Sequence, residues 1–398
     1  MPAHKWTFAS RFRRHAFGWR SDLPIKRVHE AVSEIKKVKR KDPHLAAEGA
    51  VRFIEKVSAA LELVDSSSGA LGNAVNKALD ELTLIIAAAD VERHQREKWL
   101  DRLWKAMLAD DMPYIETLGD HWGDLCADPE IASDWANRLA ADAQIMTTDY
   151  GYFKGGSARL SALLAAGRNK DILGLLDQRD RTLWHDRKFG VQALIAMGRP
   201  SEALKYAEAS RDGYVAGAID AACEEILRSS GLREEAYRKY AIAAHTKGTY
   251  LSPFRALKKA YPEIPPKRIL DDLVASTPGQ QGKWFAAAKD AGEFDCAVRL
   301  VADYPTDPLT LVRAAEKHVV SHPEFALESA YAALRWMARG YGYEITNRDV
   351  MAAVMAAKAA AQAGEIDPSQ VRSRVLEEVV KSSQMEEFIT QWFDSALS

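Results

Sequence analysis

The chain has 398 residues, 47% hydrophobic and 28% charged. That balance excludes wholesale disorder and leaves room for two ordinary domains or one extended array. The net charge of −2 is unevenly spread: residues 1–41 hold 12 Lys/Arg against 3 Asp/Glu, and the remainder holds 42 against 53. A basic arm on an acidic body suggests a polyanionic partner or self-docking.

The three cysteines, Cys126, Cys223 and Cys296, have no paired spacing and read as buried thiols in a reducing cytoplasm, not as disulfides or a zinc site. Apolar stretches such as LTLIIAAA at 82–89 are too short to cross a bilayer, and the N-terminus lacks the apolar core of a secretory signal. The expected location is the cytoplasm.

Residues 1–22 interleave Trp6, Phe8, Phe12, Phe17 and Trp19 with Lys5, Arg11, Arg13, Arg14 and Arg20. After Pro24 a helical pattern puts Ile25, Val28, Val32 and Ile35 on one face and Lys26, Arg27, Lys36 and Lys37 on the other. Asp42-Pro43 predicts an N-cap followed by proline at the first helical position, before a helix carrying Phe53, Ile54, Val57 and Leu61. A third helix is predicted at about 70–89. Asp90 is placed to cap a fourth that carries Trp99, Leu100, Leu103, Trp104 and Leu108. Asp128-Pro129 opens another. The stretch 147–157, TTDYGYFKGGS, has three glycines and no periodicity and reads as a boundary or hinge.

From 158 onward a short pattern recurs. The copies are LAAGRNKDIL (Gly167, Ile172), IAMGRPSEAL (Gly198, Ala203), RSSGLREEAY (Gly231, Ala236) and KDAGEFDCAV (Gly292, Ala297). Successive glycines lie 31, 33 and 61 residues apart, and the last interval is nearly twice the unit. A period of this size marks stacked helix–turn–helix pairs. Glycine supplies a left-handed helix stop, and the small residue five positions on lets the second helix approach the first. No segment alternates β-branched residues at period two, so almost no sheet is expected. The alanine-rich 351–363 and the segment restarting after Asp367-Pro368, ending near Trp392, complete the array.

This pattern resembles the tetratricopeptide repeat, in which a turn glycine is followed by an alanine, an aromatic and a second alanine. Gly231, Ala236, Tyr240 and Ala243 match best; the other copies are partial, with Ile172 at the alanine position and Val301 at the aromatic one. The resemblance covers roughly 158–304. Separately, FRRHAFGWRSD, VDSSSGALG, GKWFAAAKDAG and RGYGYEIT are similar to strings in a family of uncharacterised bacterial cytoplasmic proteins. That similarity implies a bacterial origin and no mechanism.

The expected fold is therefore all-α. A basic aromatic arm and first helix (1–41) and an N-terminal helical region (42–146) precede a right-handed α/α solenoid of tetratricopeptide-like pairs (158–398) with C-terminal capping helices. The leading functional reading is a non-enzymatic scaffold for a protein or peptide. Its candidate contacts are the aromatic and basic residues that the repeat leaves unexplained: Trp184, His185, Arg187, Lys188, Tyr214, Tyr250, Phe254 and Arg255. The alternative is nucleic-acid binding by Lys5, Trp6, Arg11, Arg13, Arg14, Trp19 and Arg20, whose cations neutralise phosphate while the indoles stack on bases. A third reading is an enzyme whose site is assembled from distant residues.

Glu116, Asp120 and Asp124 fall at helical spacing around His121, beside Asp110 and Asp111, and offer the arm acidic partners. A metal reading of this stripe lacks the second Glu-x-x-His of a di-metal bundle, and Gly119 and Gly123 read as close helix packing instead. The glycines at 151, 155 and 156, and those of Arg339-Gly340-Tyr341-Gly342-Tyr343, read as inter-helix turns; neither set matches a phosphate loop. No cofactor is implied.

Overall fold

The computed structural model describes residues 4–147, 152–178, 182–211, 215–246 and 248–380, and among them every regular element is helical. The chain divides into two compact units, 1–212 and 213–398.

In the first unit the α-helices are α1 (Thr7–Arg11), α2 (Asp22–Lys39), α3 (Pro43–Leu61), α4 (Ala70–Ala87) and α5 (Arg93–Leu108). A 3₁₀ turn at Glu116–His121 leads into α6 (Trp122–Cys126) and α7 (Pro129–Met146). Then come α8 (Gly156–Ala165), α9 (Asn169–Asp177), α10 (Trp184–Ala196) and α11 (Pro200–Glu208). Asp42 and Asp128 cap α3 and α7 as expected, each side chain accepting backbone N–H bonds ahead of a proline. Asp90 caps nothing: α5 starts later, after Glu92, and without a side-chain cap.

The carbonyl ends of two helices in this unit are satisfied by one side chain. Arg96 is buried and donates to the carbonyls of Ile86 (2.6 Å) and Ala89 (2.5 Å), with a longer contact to Leu125 (3.5 Å). Gly119 and Gly123 do mark close packing, because a Cβ at Gly119 would overlap Ser157 and one at Gly123 would overlap Ser161 and Ala165. Helices α7 and α8, which flank the 147–157 stretch, pack against each other inside the first unit.

The second unit begins with α12 (Ala216–Ser229) and α13 (Arg233–Ala236), the latter running through a π turn (Tyr237–Ala241) into α14 (Ile242–His245). Then follow α15 (Leu251–Ala260), α16 (Pro266–Ala275), α17 (Phe285–Ala291) and α18 (Phe294–Asp303). The unit ends with α19 (Pro308–His318), α20 (Pro323–Ala338), α21 (Asn347–Ala363) and α22 (Pro368–Val380). Trp392 lies outside the described residues.

The repeat turns have the predicted geometry. Gly167, Gly198, Gly231 and Gly292 have φ of +69°, +72°, +80° and +79°. At each, the next residue's N–H bonds back to the carbonyl five positions earlier, for example Arg168 to Leu163 and Leu232 to Leu227, which closes a Schellman motif. The residues five positions on, Ile172, Ala203, Ala236 and Ala297, are fully buried. The long 61-residue interval contains the pair α15–α16, joined without a glycine through Tyr261 and Pro265-Pro266. Gly340 (φ +76°) makes the same stop after α20, with Tyr341 bonding back to Trp336.

The best-matching copy departs from the tetratricopeptide pattern in one respect. The π turn adds a residue to the helical register, so the buried positions are Ala236, Tyr237, Tyr240 and Ala241, and Ala243 is exposed.

Candidate functional site

The basic arm is docked on the first unit. Trp6, Phe8, Phe12 and Phe17 are all buried. Phe12 meets Phe53 of α3 at 5.0 Å and Phe17 at 5.4 Å, while Phe8 meets Phe53 at 5.6 Å, all edge-on. The Trp6 indole lies where a Cβ on Gly49 would have to stand. Glu34 of α2 accepts the backbone N–H groups of Thr7 (2.8 Å) and Phe8 (3.2 Å).

The arm's cations take partners close by, not on the 116–124 stripe. Arg11 pairs with Glu30 (2.7 Å), Arg13 bonds to the Ser10 carbonyl, and Arg14 and His15 face Glu62. Of the residues expected to contact nucleic acid, Trp6 is core and offers no face to a base; Lys5, Trp19 and Arg20 stand exposed.

The acidic stripe is not one helical face. Glu116, Asp120 and His121 lie on the 3₁₀ turn, whose three residues per turn splay side chains that an α-helix would align, and Asp124 lies beyond the junction on α6. Glu116 accepts from the Tyr152 hydroxyl (2.7 Å). His121 sits between Asp80 of α4 (3.1 Å) and Asp124 (3.8 Å). Ser161 of α8 accepts from the Gly123 N–H and donates to the Asp120 carbonyl, both at 2.9 Å.

Two residues of α10 reach this place. Lys188 donates to Asp120 Oδ2 at 2.6 Å, and His185 Nε2 lies 3.2 Å from Oδ1. A cleft of about 600 Å³ opens over Asp80, Asp120, His121, Asp124, Ser161 and Lys188. Burial alone would raise the Asp120 pKa, but the bonds from His185 and Lys188 outweigh it and hold the carboxyl below its ordinary value. His185 is raised above the ordinary imidazole value, chiefly by its bond to Asp120, and His121 chiefly by its bond to Asp124. The cluster sets carboxylates of the α4–α6 layer against Lys188, His185 and His121, and so braces α10 against that layer. Among the described residues no group of three or more His, Cys, Asp or Glu is placed to hold a metal ion.

The remaining residues of the expected partner set are scattered. Arg187 donates to the Thr182 carbonyl and Ser210 hydroxyl, both at 3.2 Å, and lies over the Tyr206 ring. Trp184 is half-buried at the start of α10, directly after Leu183, which is 74% exposed. In the second unit the Tyr250 hydroxyl donates to Gln280 (2.6 Å) and its ring packs edge-on against Trp284. Arg255 pairs with Asp290 at 2.5 Å on the exposed side of α15. Phe254 is fully buried in the core because it lies on the apolar stripe shared with Leu257, and it presents nothing to a partner. Tyr214 lies outside the described residues.

One polar group in the second unit goes unmarked by any sequence motif. Glu224 of α12 is buried and accepts from the Tyr261 hydroxyl (2.7 Å) and from His245 Nε2 (3.1 Å). Burial opposes its charge, yet these bonds hold its pKa below the ordinary value, while burial and the same carboxylate raise that of Tyr261. The available signal is a glutamate adjoining the apolar stripe of Ile219, Cys223, Ile226 and Leu227.

The fold thus defines an all-α protein of consecutive packed helix pairs with tetratricopeptide-like turns. No family model matches the chain, and no curated protein matches it. Among solved structures it is similar to a chain of the APC/C hetero-tetramer Cut9–Hcn1, at 13% identity, covering 94% of this chain and 74% of that one with a TM-score of 0.27. The helix pairs and their turns carry the fold assignment without that likeness. No helix among the described residues is long and apolar enough to cross a membrane.

Proposed function

We propose that the protein is a non-enzymatic helical-repeat module that binds a protein or peptide partner, with the start of α10 as a principal contact. Stacked helix pairs spread recognition over side chains from several repeats, so no single enclosed pocket is needed. The observation that carries the reading is the exposed Leu183 beside the half-buried Trp184 at the head of a repeat helix. Trp184 and Lys188 are one turn apart on that helix, and Arg187 adds a guanidinium beside them. A large aliphatic side chain held in water next to an indole and cations has the composition of an interface anchor.

A photo-crosslinking residue at position 183 in living cells of the source organism tests this reading. The expected result is one reproducible crosslinked protein, lost when Trp184→Ala is added and absent when the crosslinker stands at Lys170. A crosslinking pattern indistinguishable from that at Lys170 refutes it.

A further inference from the structure

A basic groove runs between α2 and α4, and no part of the protein-binding reading uses it. Helix α2 lines it with His29, Lys36, Lys37 and Arg40, and α4 contributes Lys77 and Glu81 around a cavity of about 410 Å³. Lys36 is paired with Glu81 at 2.7 Å. Among the described residues no carboxylate lies within ion-pairing distance of Lys37, Arg40 or Lys77, nor of Lys39 and Lys41 beside them.

Two acids of α2 are engaged on the arm side of the helix: Glu30 binds Arg11 and Arg27, and Glu34 binds the arm's backbone. Helix-end lysines are favourable at the α2 C-terminus by themselves. Lys77 is different, because it sits in the interior of α4, where no helix end explains it. Bringing it into the same groove as Lys37 and Arg40 gathers like charges, an arrangement that a bound polyanion would stabilise.

The groove from His29 to Arg40 extends about 16 Å along the helix. Trp19 is 72% exposed three residues before α2 begins, and its carbonyl accepts the N–H of Asp65 in the loop that feeds α4. An exposed indole on the segment leading into α2, and a cationic groove further along that helix, supply the two elements of single-strand recognition, a platform for an unpaired base and a track for phosphates. We propose that the α2–α4 groove is a binding site for single-stranded nucleic acid, held through its phosphodiester backbone, with Trp19 stacking on a base.

The test is fluorescence anisotropy of a labelled 20-nucleotide oligodeoxythymidine with the full chain. Three unpaired cations give a log–log salt slope of about −2, so affinity should fall about 20-fold between 50 and 200 mM salt. The combined Lys37→Glu, Arg40→Glu, Lys77→Glu variant should lose binding, with helical content by circular dichroism unchanged. Trp19→Ala, at a mostly exposed side chain, should weaken binding about 5- to 150-fold, and Lys170→Glu should leave it unaltered. No binding at 50 mM salt, or binding indifferent to both groove and Trp19 variants, overturns the proposal. So does tighter, groove-dependent binding to phosphatidylserine vesicles or to poly-glutamate than to the oligonucleotide.

Discussion

Phe12→Ala should release the basic arm while the rest of the first unit stays folded. Phe12 is 1% exposed and closes a three-ring contact with Phe17 and Phe53, so its truncation removes both the buried ring and two edge-on pairs. A buried Phe→Ala change costs about 3–5 kcal/mol. If the arm opens as its own unit, that loss multiplies its open population by about a hundred to several thousand. Arg11, Arg13 and Arg14 are exposed on this segment, so limited trypsin digestion followed by mass spectrometry reads the opening directly. The expected result is arm cleavage accelerated at least a hundredfold, with cleavage after Arg93 and Arg102 of α5 little changed. Acceleration below tenfold would refute the view that Phe12 holds the arm, and equal acceleration at all sites would show that the arm does not open separately.

Because His121 and His185 are raised above the ordinary imidazole value, their contribution to stability is complete below about pH 6.5 and fades as pH rises through their folded values. Thermal melts should therefore show more destabilisation between pH 6 and 8 for the native chain than for the His121→Gln, His185→Gln variant; identical slopes would remove these histidines as the cause. Burial pushes the Cys126 thiol up to about 12, whereas Cys296 is partly exposed. Iodoacetamide at pH 8 should label Cys296 well before Cys126, as peptide mass spectrometry would show. Gly231→Ala places a Cβ in open space at φ +80°, so only backbone strain applies, about 1–2 kcal/mol in urea unfolding. A neutral effect would mean that the turn relaxes out of the left-handed region.

The repeat was legible because it depends on local chemistry. A left-handed stop requires glycine and close helix approach requires a small residue. The copies at Gly198, Gly231 and Gly292 carry both signals in one chain segment, and that at Gly167 carries the stop with Ile172 in the small position. The α15–α16 pair escaped detection because its turn uses Tyr261 and a proline pair in place of glycine. The arm's aromatics read equally well as core or as stacking platforms, since exposure is decided by helices that only the fold brings near. Asp120 illustrates the same limit. Its partners His185 and Lys188 are more than 60 residues away and belong to the expected partner set, yet nothing in their local spacing joins the two groups. Helical periodicity also misplaced the 116–124 stripe, because a 3₁₀ turn changes the angular step between side chains.

Arg96 sets a limit on how this architecture can be shortened or lengthened. Pairs bounded by glycine stops finish their own carbonyls through the turn, so insertion or deletion of such a pair leaves no backbone group stranded. Around Arg96 the ending is borrowed: the last carbonyls of α4 are completed by a side chain from α5, which also reaches the end of α6. Excising α5 would take the donor away from the Ile86, Ala89 and Leu125 carbonyls, and excising α4 would leave the buried Arg96 guanidinium without its two short acceptors. Duplication and loss of helix pairs are therefore open to the glycine-turn part of the chain, while α4 and α5 must be inherited together.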